Sequence, residues 1–277
     1  MNRPYPMKAF LILIVCAFAG LSASGQTAAK FGDNAAAGHY YDVRGLKMYV
    51  EIYGEGKPLL LLHGNGGSIG NFASTIPYFS KKYKVIAVDS RAHGKTVDPS
   101  DSLSFEQMAD DFAALLDTLH TGPAYVIGWS DGGIDALELA MRHPDKVIKF
   151  ASTGANLTPD STALIPSLWK DMVKEYNEKK DKPRTSAREK NDWKIFMLDY
   201  DQPHIPISAL KAIKCPSLII NGDHDLIPVE HAVQIWKGIP TAWLWIVPNS
   251  GHPTLIEHRD EFNKKVDDFF MATGTKW

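Results

Sequence analysis

Two kinds of hydrophobic pattern alternate along most of this chain. Short continuous apolar runs, such as Pro58-Leu59-Leu60-Leu61-Leu62, Lys84 to Val88, Ala124 to Ile127 and Val147 to Ser152, predict strands covered on both faces. Between them apolar residues recur at helical spacing, predicting helices around Asn71 to Phe79, Phe105 to Leu119 and Ile134 to Arg142. Ser104 and Gln107 stand three apart, as N-cap and capping-box partner of the second helix. Ahead of these, Tyr40 to Tyr53 reads as a β-hairpin turning at Arg44-Gly45, with Met48, Val50 and Ile52 alternating after the turn. Strand signals resume at Pro216 to Ile220 and at Ala242 to Val247, with helices near Val229 to Lys237 and from Thr254 to Phe270.

Strands alternating with helices imply right-handed crossovers and one mainly parallel sheet, an α/β fold. The alternation stops between Thr158 and Ala212, which is polar, lysine-rich and helix-forming. We read residues 39–157 and 213–277 as the core and 158–212 as a helical cap inserted beside the carboxyl edge of the sheet, where open α/β sheets bind ligands. Trp169, Trp193, Phe196, Met197 and Tyr200 in this insertion either line a pocket or pack the cap onto the core.

The N-terminus has a different pattern. Arg3 and Lys8 precede the uncharged apolar run Ala9 to Leu21, and Ser22-Ala23-Ser24-Gly25 follows. This layout predicts a secretory signal peptide over residues 1–25, cleaved near Gly25/Gln26, then a flexible leader over 26–38 and a secreted, periplasmic mature protein. An uncleaved anchor is the alternative, since the apolar run is short for a full membrane span. After cleavage Cys215 is the one cysteine left, so no internal disulfide can form and stability must come from the core. The 277 residues carry a net charge of −2 with no basic stripe, which argues against nucleic acid as partner. No Cys/His cluster has metal-ligand spacing, and neither metal nor cofactor is expected.

One stretch changes the picture from fold to chemistry. In Gly128-Trp129-Ser130-Asp131-Gly132-Gly133 a serine sits where strand period gives way to helix period. So tight a corner lifts the hydroxyl above the sheet edge, the arrangement of a Gly-x-Ser-x-Gly nucleophile elbow. A serine hydroxyl needs a base, and the base needs an acid on its far nitrogen. After the next strands come Gly222-Asp223-His224-Asp225 and Asn249-Ser250-Gly251-His252. Asp225 is the expected acid, Asp223 its nearby competitor, and His252 the expected base. The oxyanion of the tetrahedral intermediate requires main-chain donors already in place. The Asp131 N–H at the start of the helix is one; the other comes from His63-Gly64-Asn65-Gly66-Gly67, with Asn65 expected and Gly66 the alternative. Trp129, Asp131 and Gly66 are further candidates to contact substrate. The Asp131 side chain either favours the helix dipole or receives a substrate ammonium group.

In this order, His63-Gly64, Gly128 to Gly133, Gly222-x-x-Asp225 and Gly251-His252 resemble the α/β-hydrolase superfamily, as does Asp89-x-Arg91-x-x-Gly94. The resemblance spans about Tyr40 to Phe270 and implies an eight-stranded sheet flanked by helices. Gly128 to Ile134 and Asp260-Glu261-Phe262-Asn263-Lys264 look more narrowly like the biphenyl-hydrolase-like, or valacyclovir hydrolase-like, subgroup. That subgroup hydrolyses esters, including amino-acid esters, which implies a small-molecule ester substrate. Carbon–carbon bond hydrolysis, amide or peptide cleavage and perhydrolysis use the same triad. A ligand-binding protein that kept the fold without turnover is the alternative from another class.

Overall fold

The computed structural model describes residues 30–273. The expected signal peptide and residues 26–29 of the expected leader lie outside the described residues. Eight strands, β1 (Gly38–Val43), β2 (Leu46–Tyr53), β3 (Lys57–Leu62), β4 (Tyr83–Val88), β5 (Ala124–Trp129), β6 (Val147–Thr153), β7 (Ser217–Gly222) and β8 (Ala242–Val247), form one sheet in the order β1-β2-β4-β3-β5-β6-β7-β8. The pairs β1–β2 and β2–β4 are antiparallel and the others parallel. This is the α/β-hydrolase sheet that the resemblance implied. The hairpin turns where expected, with φ of 45° at Arg44 and 85° at Gly45, the left-handed pair that a tight two-residue hairpin turn requires.

The uninterrupted leucines of β3 have a plain physical origin. Leu60 and Leu62 join the apolar cluster on one face of the sheet, while Leu59 and Leu61 join the cluster on the other. Helices cover both faces: α1 (Ile76–Phe79), α2 (Phe105–Thr118), α3 (Asp131–Arg142), α6 (Val229–Gly238), α7 (Thr254–Glu257) and α8 (Arg259–Met271). Ser104 caps α2 by accepting the Gln107 N–H at 3.1 Å.

Two helices are shorter than the periodicity suggested. The expected helix over Asn71 to Phe79 is a 3-10 turn (Ile69–Phe72) followed by α1, because Pro77 cannot donate a helical bond and is tolerated only in the first turn of a new helix. The expected helix over Thr254 to Phe270 breaks into α7 and α8 at His258, whose backbone leaves the helical region at φ −116° and ψ 36°.

The leader expected to be flexible is held over residues 32–34. Glu51, fully buried in β2, accepts the Gly32 and Asn34 N–H groups at 2.8 Å each and the Tyr49 and Tyr53 hydroxyls at 2.9 and 2.7 Å. A buried carboxylate is tolerable only with such a set of donors, and the leader supplies two of them.

Between β6 and β7 the chain forms α4 (Pro166–Lys179), α5 (Ala187–Asp201) and a 3-10 turn (Ile207–Ala212). No residue of α4 is buried, and α5 buries only Lys194 and Leu198. Most aromatics of this segment stack on one another rather than on the sheet. Tyr200 lies 4.3 Å from Tyr176 and 5.5 Å from Trp169, with Trp193 5.2 Å from Phe196. On the core side, Lys194 donates to Asp98 Oδ2 at 2.7 Å and to the Ser100 carbonyl at 2.8 Å. Asn191 donates to the Ala92 carbonyl at 2.8 Å. Thus α5 is bolted to the segment after β4, while α4 packs on α5 and is tied at its start to the loop after β7, where the Ile165 N–H donates to the Leu226 carbonyl at 2.9 Å.

Candidate active site

The turn from β5 into α3 places Ser130 at φ 57° and ψ −121°, a strained conformation for a residue with a side chain. Its surroundings enforce it. The Ser130 N–H donates to the Thr153 carbonyl at 2.8 Å, and the Ser130 carbonyl accepts from Gly133 N at 2.7 Å. The flanking glycines are required by close approach: a Cβ on Gly128 would lie 1.9 Å from the Gly132 carbonyl oxygen, and one on Gly132 2.0 Å from that of Leu62. Helix α3 therefore starts hard against the ends of β3 and β5 and presents the hydroxyl above them.

Strands β7 and β8 deliver the partners. Ser130 Oγ donates to His252 Nε2 at 2.9 Å, and His252 Nδ1 donates to Asp225 Oδ1 at 2.6 Å. A carboxylate only accepts, so it fixes the proton on Nδ1 and leaves Nε2 free to receive one. Asp225 is buried and is steadied by the N–H groups of Ile227 and Gly222 at 3.1 and 3.3 Å. Asp223, the competing acid, serves the loop instead: its Oδ1 binds His224 Nδ1 at 2.7 Å and the Ser250 N–H at 3.1 Å. The arrangement can move a proton from a serine hydroxyl to an imidazole and stabilise the resulting cation.

Ser130, His252, Asn65 and Gly66 line a cavity of about 580 Å³. Leu164 and Leu168 close it on the insertion side with Met172 of α4 and Phe196 of α5, and Leu226 and Ile227 close it on the core side. Gly66, at φ 62°, has open space around it. As the first residue of α3, Asp131 has a main-chain N–H with no intrahelical acceptor, and it follows the serine directly.

Two side chains are not where substrate contact would need them. The Trp129 indole donates to the His252 carbonyl at 3.1 Å and joins the apolar cluster beneath the sheet, so it supports the histidine loop rather than lining the cavity. The Asp131 carboxylate, 3% exposed, accepts Asn65 Nδ2 at 2.9 Å. The carboxyls that line the cavity are those of Glu175 on α4 and of Asp192 and Asp199 on α5. Burial and the neighbouring Asp131 push the Asp199 pKa well up.

Sequence reasoning missed Asp199, because nothing in a polar helical run marks one acid among several. It also missed Gly154 after β6, where a Cβ would lie 2.7 Å from His252 Cε1; the imidazole occupies that space. A glycine directly after a strand was the available signal.

Beneath the donor turn, His63 Nδ1 donates to the Gly64 carbonyl at 2.8 Å and Nε2 accepts the Ser90 N–H at 3.1 Å. Both ring nitrogens are used in the neutral form. Burial, then the nearby His93, push the His63 pKa down to about 3. The unfolded chain takes up this proton near the ordinary value of 6.5, so His63 costs nothing above that pH and destabilises the fold as pH drops below it. Between pH 7.5 and 5 the loss should reach about 2 kcal/mol, at roughly 1.4 kcal/mol per pKa unit. Glu138, pushed up to about 7 by burial, has the opposite sign. The difference between wild type and His63→Gln in urea unfolding at the two pH values isolates the histidine. Equal pH slopes in the two proteins would remove this account.

Comparison with known proteins agrees with the geometry. Residues 57–192 match the family model described as alpha/beta hydrolase fold. The chain is 30% identical over 248 residues to the Mus musculus protein named serine hydrolase BPHL, covering 83% of this chain and 84% of that one. It is 26% identical to the 2-hydroxy-6-oxo-6-(2'-aminophenyl)hexa-2,4-dienoic acid hydrolase of Metapseudomonas resinovorans, covering 77% of this chain and 83% of that one. Among solved structures, the meta-cleavage product hydrolase of Pseudomonas fluorescens IP01 superposes with a TM-score of 0.68 at 25% identity, covering 86% of this chain and 98% of that one. With its sheet order, its elbow and relatives matched over most of their length, this chain belongs to the α/β hydrolase family.

Proposed function

We propose that this protein is a secreted, cofactor-independent serine hydrolase of a small carboxylic ester, a carboxylesterase. Ser130 attacks the acyl carbon while His252 takes its proton, and Asp225 orients and stabilises the imidazolium. The main-chain N–H groups of Asn65 and Asp131 hold the oxyanion. His252 then returns its proton to the leaving alcohol and activates water to release the acid. Residues 158–212 act as a cap over this chemistry. The layout of residues 1–25 supports export to the periplasm, with no membrane insertion once the signal is removed and no nucleic-acid partner.

The observation that carries this reading is the unbroken relay: Ser130 Oγ at 2.9 Å from His252 Nε2, with His252 Nδ1 at 2.6 Å from Asp225. A serine-reactive fluorophosphonate is expected to label the wild-type protein and not Ser130→Ala. Wild-type protein that stays unlabelled would overturn the hydrolase reading.

Carbon–carbon bond cleavage is the second reading, favoured by the similarity to the Metapseudomonas dienoic acid hydrolase. The charge of the cavity weighs against an acid of that kind as substrate. Glu175 and Asp192 line it as carboxylates, each beside a cation of its own helix (Lys179 at 2.6 Å, Arg188 at 3.6 Å), Asp199 lines it with its pKa pushed up, and no lysine or arginine lines it. An anionic substrate would enter a field of its own sign, whereas a neutral or cationic ester would not. Of two isosteric p-nitrophenyl esters, one bearing an ammonium and one a carboxylate, the cationic ester should be turned over with a kcat/KM higher on the order of 10-fold or more. A preference for the anionic ester would reverse this assignment and restore the carbon–carbon reading.

A further inference from the structure

At one wall of the cavity three elements meet through a polar cluster. Asn65 lies in the turn after β3. One of its Nδ2 hydrogens goes to Asp131 Oδ2 at 2.9 Å, and the other to the Ile195 carbonyl of α5 at 3.1 Å. A side-chain amide has two N–H donors, and both are used. Their acceptors are 66 and 130 residues away in sequence. Asp199, one turn along α5 from Ile195, faces the same Asp131 carboxyl.

We propose that the Asn65 side chain, together with Asp199, is a positioning device. It fastens α5 to the elbow and so holds the Asn65 main-chain N–H in line with that of Asp131, completing the oxyanion hole only while α5 is seated. The inference rests on the esterase reading of Ser130 and adds a link from the insertion helices to the reacting centre.

The geometry supports this in two ways. Asn65 stands in a glycine-rich turn, where Gly64, Gly66 and Gly67 leave the backbone many conformations, and Gly66 is exposed. The Gly67 N–H closes the turn on the Gly64 carbonyl at 3.0 Å, and the two Asn65 side-chain bonds anchor it to α3 and α5. The acceptor helix is itself immobilised by the buried Lys194, one residue before Ile195, through its bonds to Asp98 and Ser100. Two carboxyls in contact avoid repulsion by sharing one proton. Burial and the neighbouring Asp131 push Asp199 toward its protonated form, which lets it donate to Asp131. Around the pair stand His93 from the segment after β4, Asp135 from α3 and Lys194 from α5. Burial pushes the pKa of His93 down and that of Asp135 up, each toward its neutral form. Raising the pH far enough to ionise Asp199 sets two carboxylates against each other and releases the clamp.

The test uses the mature protein and the p-nitrophenyl ester that it turns over fastest. Asn65→Ala keeps the main-chain donor and removes only the clamp. It is expected to lower kcat by about 10- to 100-fold, with KM within about threefold and the thermal midpoint little changed. Asp199→Asn retains a donor to Asp131. It should keep kcat near wild type and flatten the alkaline limb of its pH profile, whereas Asp199→Ala should lose about 10-fold in kcat at all pH values. An Asn65→Ala enzyme within twofold of wild type in kcat would overturn the proposal, as would a rise in KM at unchanged kcat, since the amide would then be a substrate contact. If Asn65→Ala does not fold, the Asp199 pair decides: identical kcat and pH profiles in Asp199→Asn and Asp199→Ala would sink the clamp. Turnover that survives Ser130→Ala would defeat the esterase reading itself. Turnover abolished by Ser130→Ala but indifferent to Asn65 and Asp199 would defeat only the clamp.

Discussion

Replacing Ser130 by alanine is expected to lower ester turnover by about 10⁴- to 10⁶-fold without loss of the fold. The size follows from how the three groups act. The serine oxygen becomes nucleophilic only as His252 Nε2, 2.9 Å away, takes its proton. The imidazolium that forms is stabilised only by Asp225, itself buried and held by two main-chain donors. Removing His252 should therefore cost nearly as much as removing Ser130, and the Ser130→Ala/His252→Ala double variant should be no slower than either single one. Steady-state kinetics on a p-nitrophenyl ester measure all three. Additive losses would mean that the two residues do not work as one unit. The residual rate over uncatalysed hydrolysis would report on the Asn65 and Asp131 donors alone. The alanine side chain is smaller than serine and leaves the Thr153 and Gly133 bonds of the elbow backbone untouched. The thermal midpoint should hardly move.

The largest loss of stability is expected away from this chemistry. Arg91, 5% exposed, lies between Asp98 and Asp111. Its Nη1 donates to Asp98 at 2.8 Å, and its Nε and Nη2 donate to Asp111 at 2.6 and 3.0 Å in a two-pronged pair. Lys194 meets Asp98 from the other side at 2.7 Å. Burial works against the charge on Asp98, but the bonds from Lys194 and Ser100 outweigh it and hold its pKa below the ordinary value. Burial wins at Asp111, whose pKa is raised in spite of the arginine. Arg91→Met would leave two buried carboxyls short of a cation, with a cost of roughly 3–5 kcal/mol. At about 2–4 °C per kcal/mol for a chain of this size, the thermal midpoint should fall by roughly 10 °C. Arg44 also reaches Asp111, at 3.1 Å, but its side chain is 46% exposed, and Arg44→Met should cost less than about 1 kcal/mol. Thermal and urea unfolding of the two variants provide the check. Similar losses in both would mean that burial does not set the strength of this network. Because Lys194 ties the network to α5, Arg91→Met should also loosen the insertion helices over the cavity.

The elbow, the acid and the base were legible because each sits at the carboxyl end of a strand, where an apolar run stops and a short polar motif begins. The continuous leucines of β3 announced a strand buried on both faces. The order of Ser130, Asp225 and His252 along the chain then restricted the candidates to a few residues. The helix ends were less legible: Pro77 and His258 break segments whose apolar spacing is otherwise continuous. The leader misled for another reason. A stretch of small and polar residues reads as flexible unless one knows that Glu51, whose strand offers only Lys47, exposed and paired with Asp42, needs the Gly32 and Asn34 donors.

The sequence by itself thus determined the fold class, the sheet-edge position of the elbow and which serine, carboxyl and histidine folding brings together, all of which follow from local period and from motifs at strand ends. Only the tertiary structure decided what surrounds them. Trp129 turned out to brace His252, Gly154 to make room for its ring, Asp199 rather than Asp131 to face the cavity, and the Asn65 side chain to join the donor turn to α5. These roles depend on contacts between residues that are far apart in the chain, and a distance closed by folding leaves no period or spacing in the sequence to read.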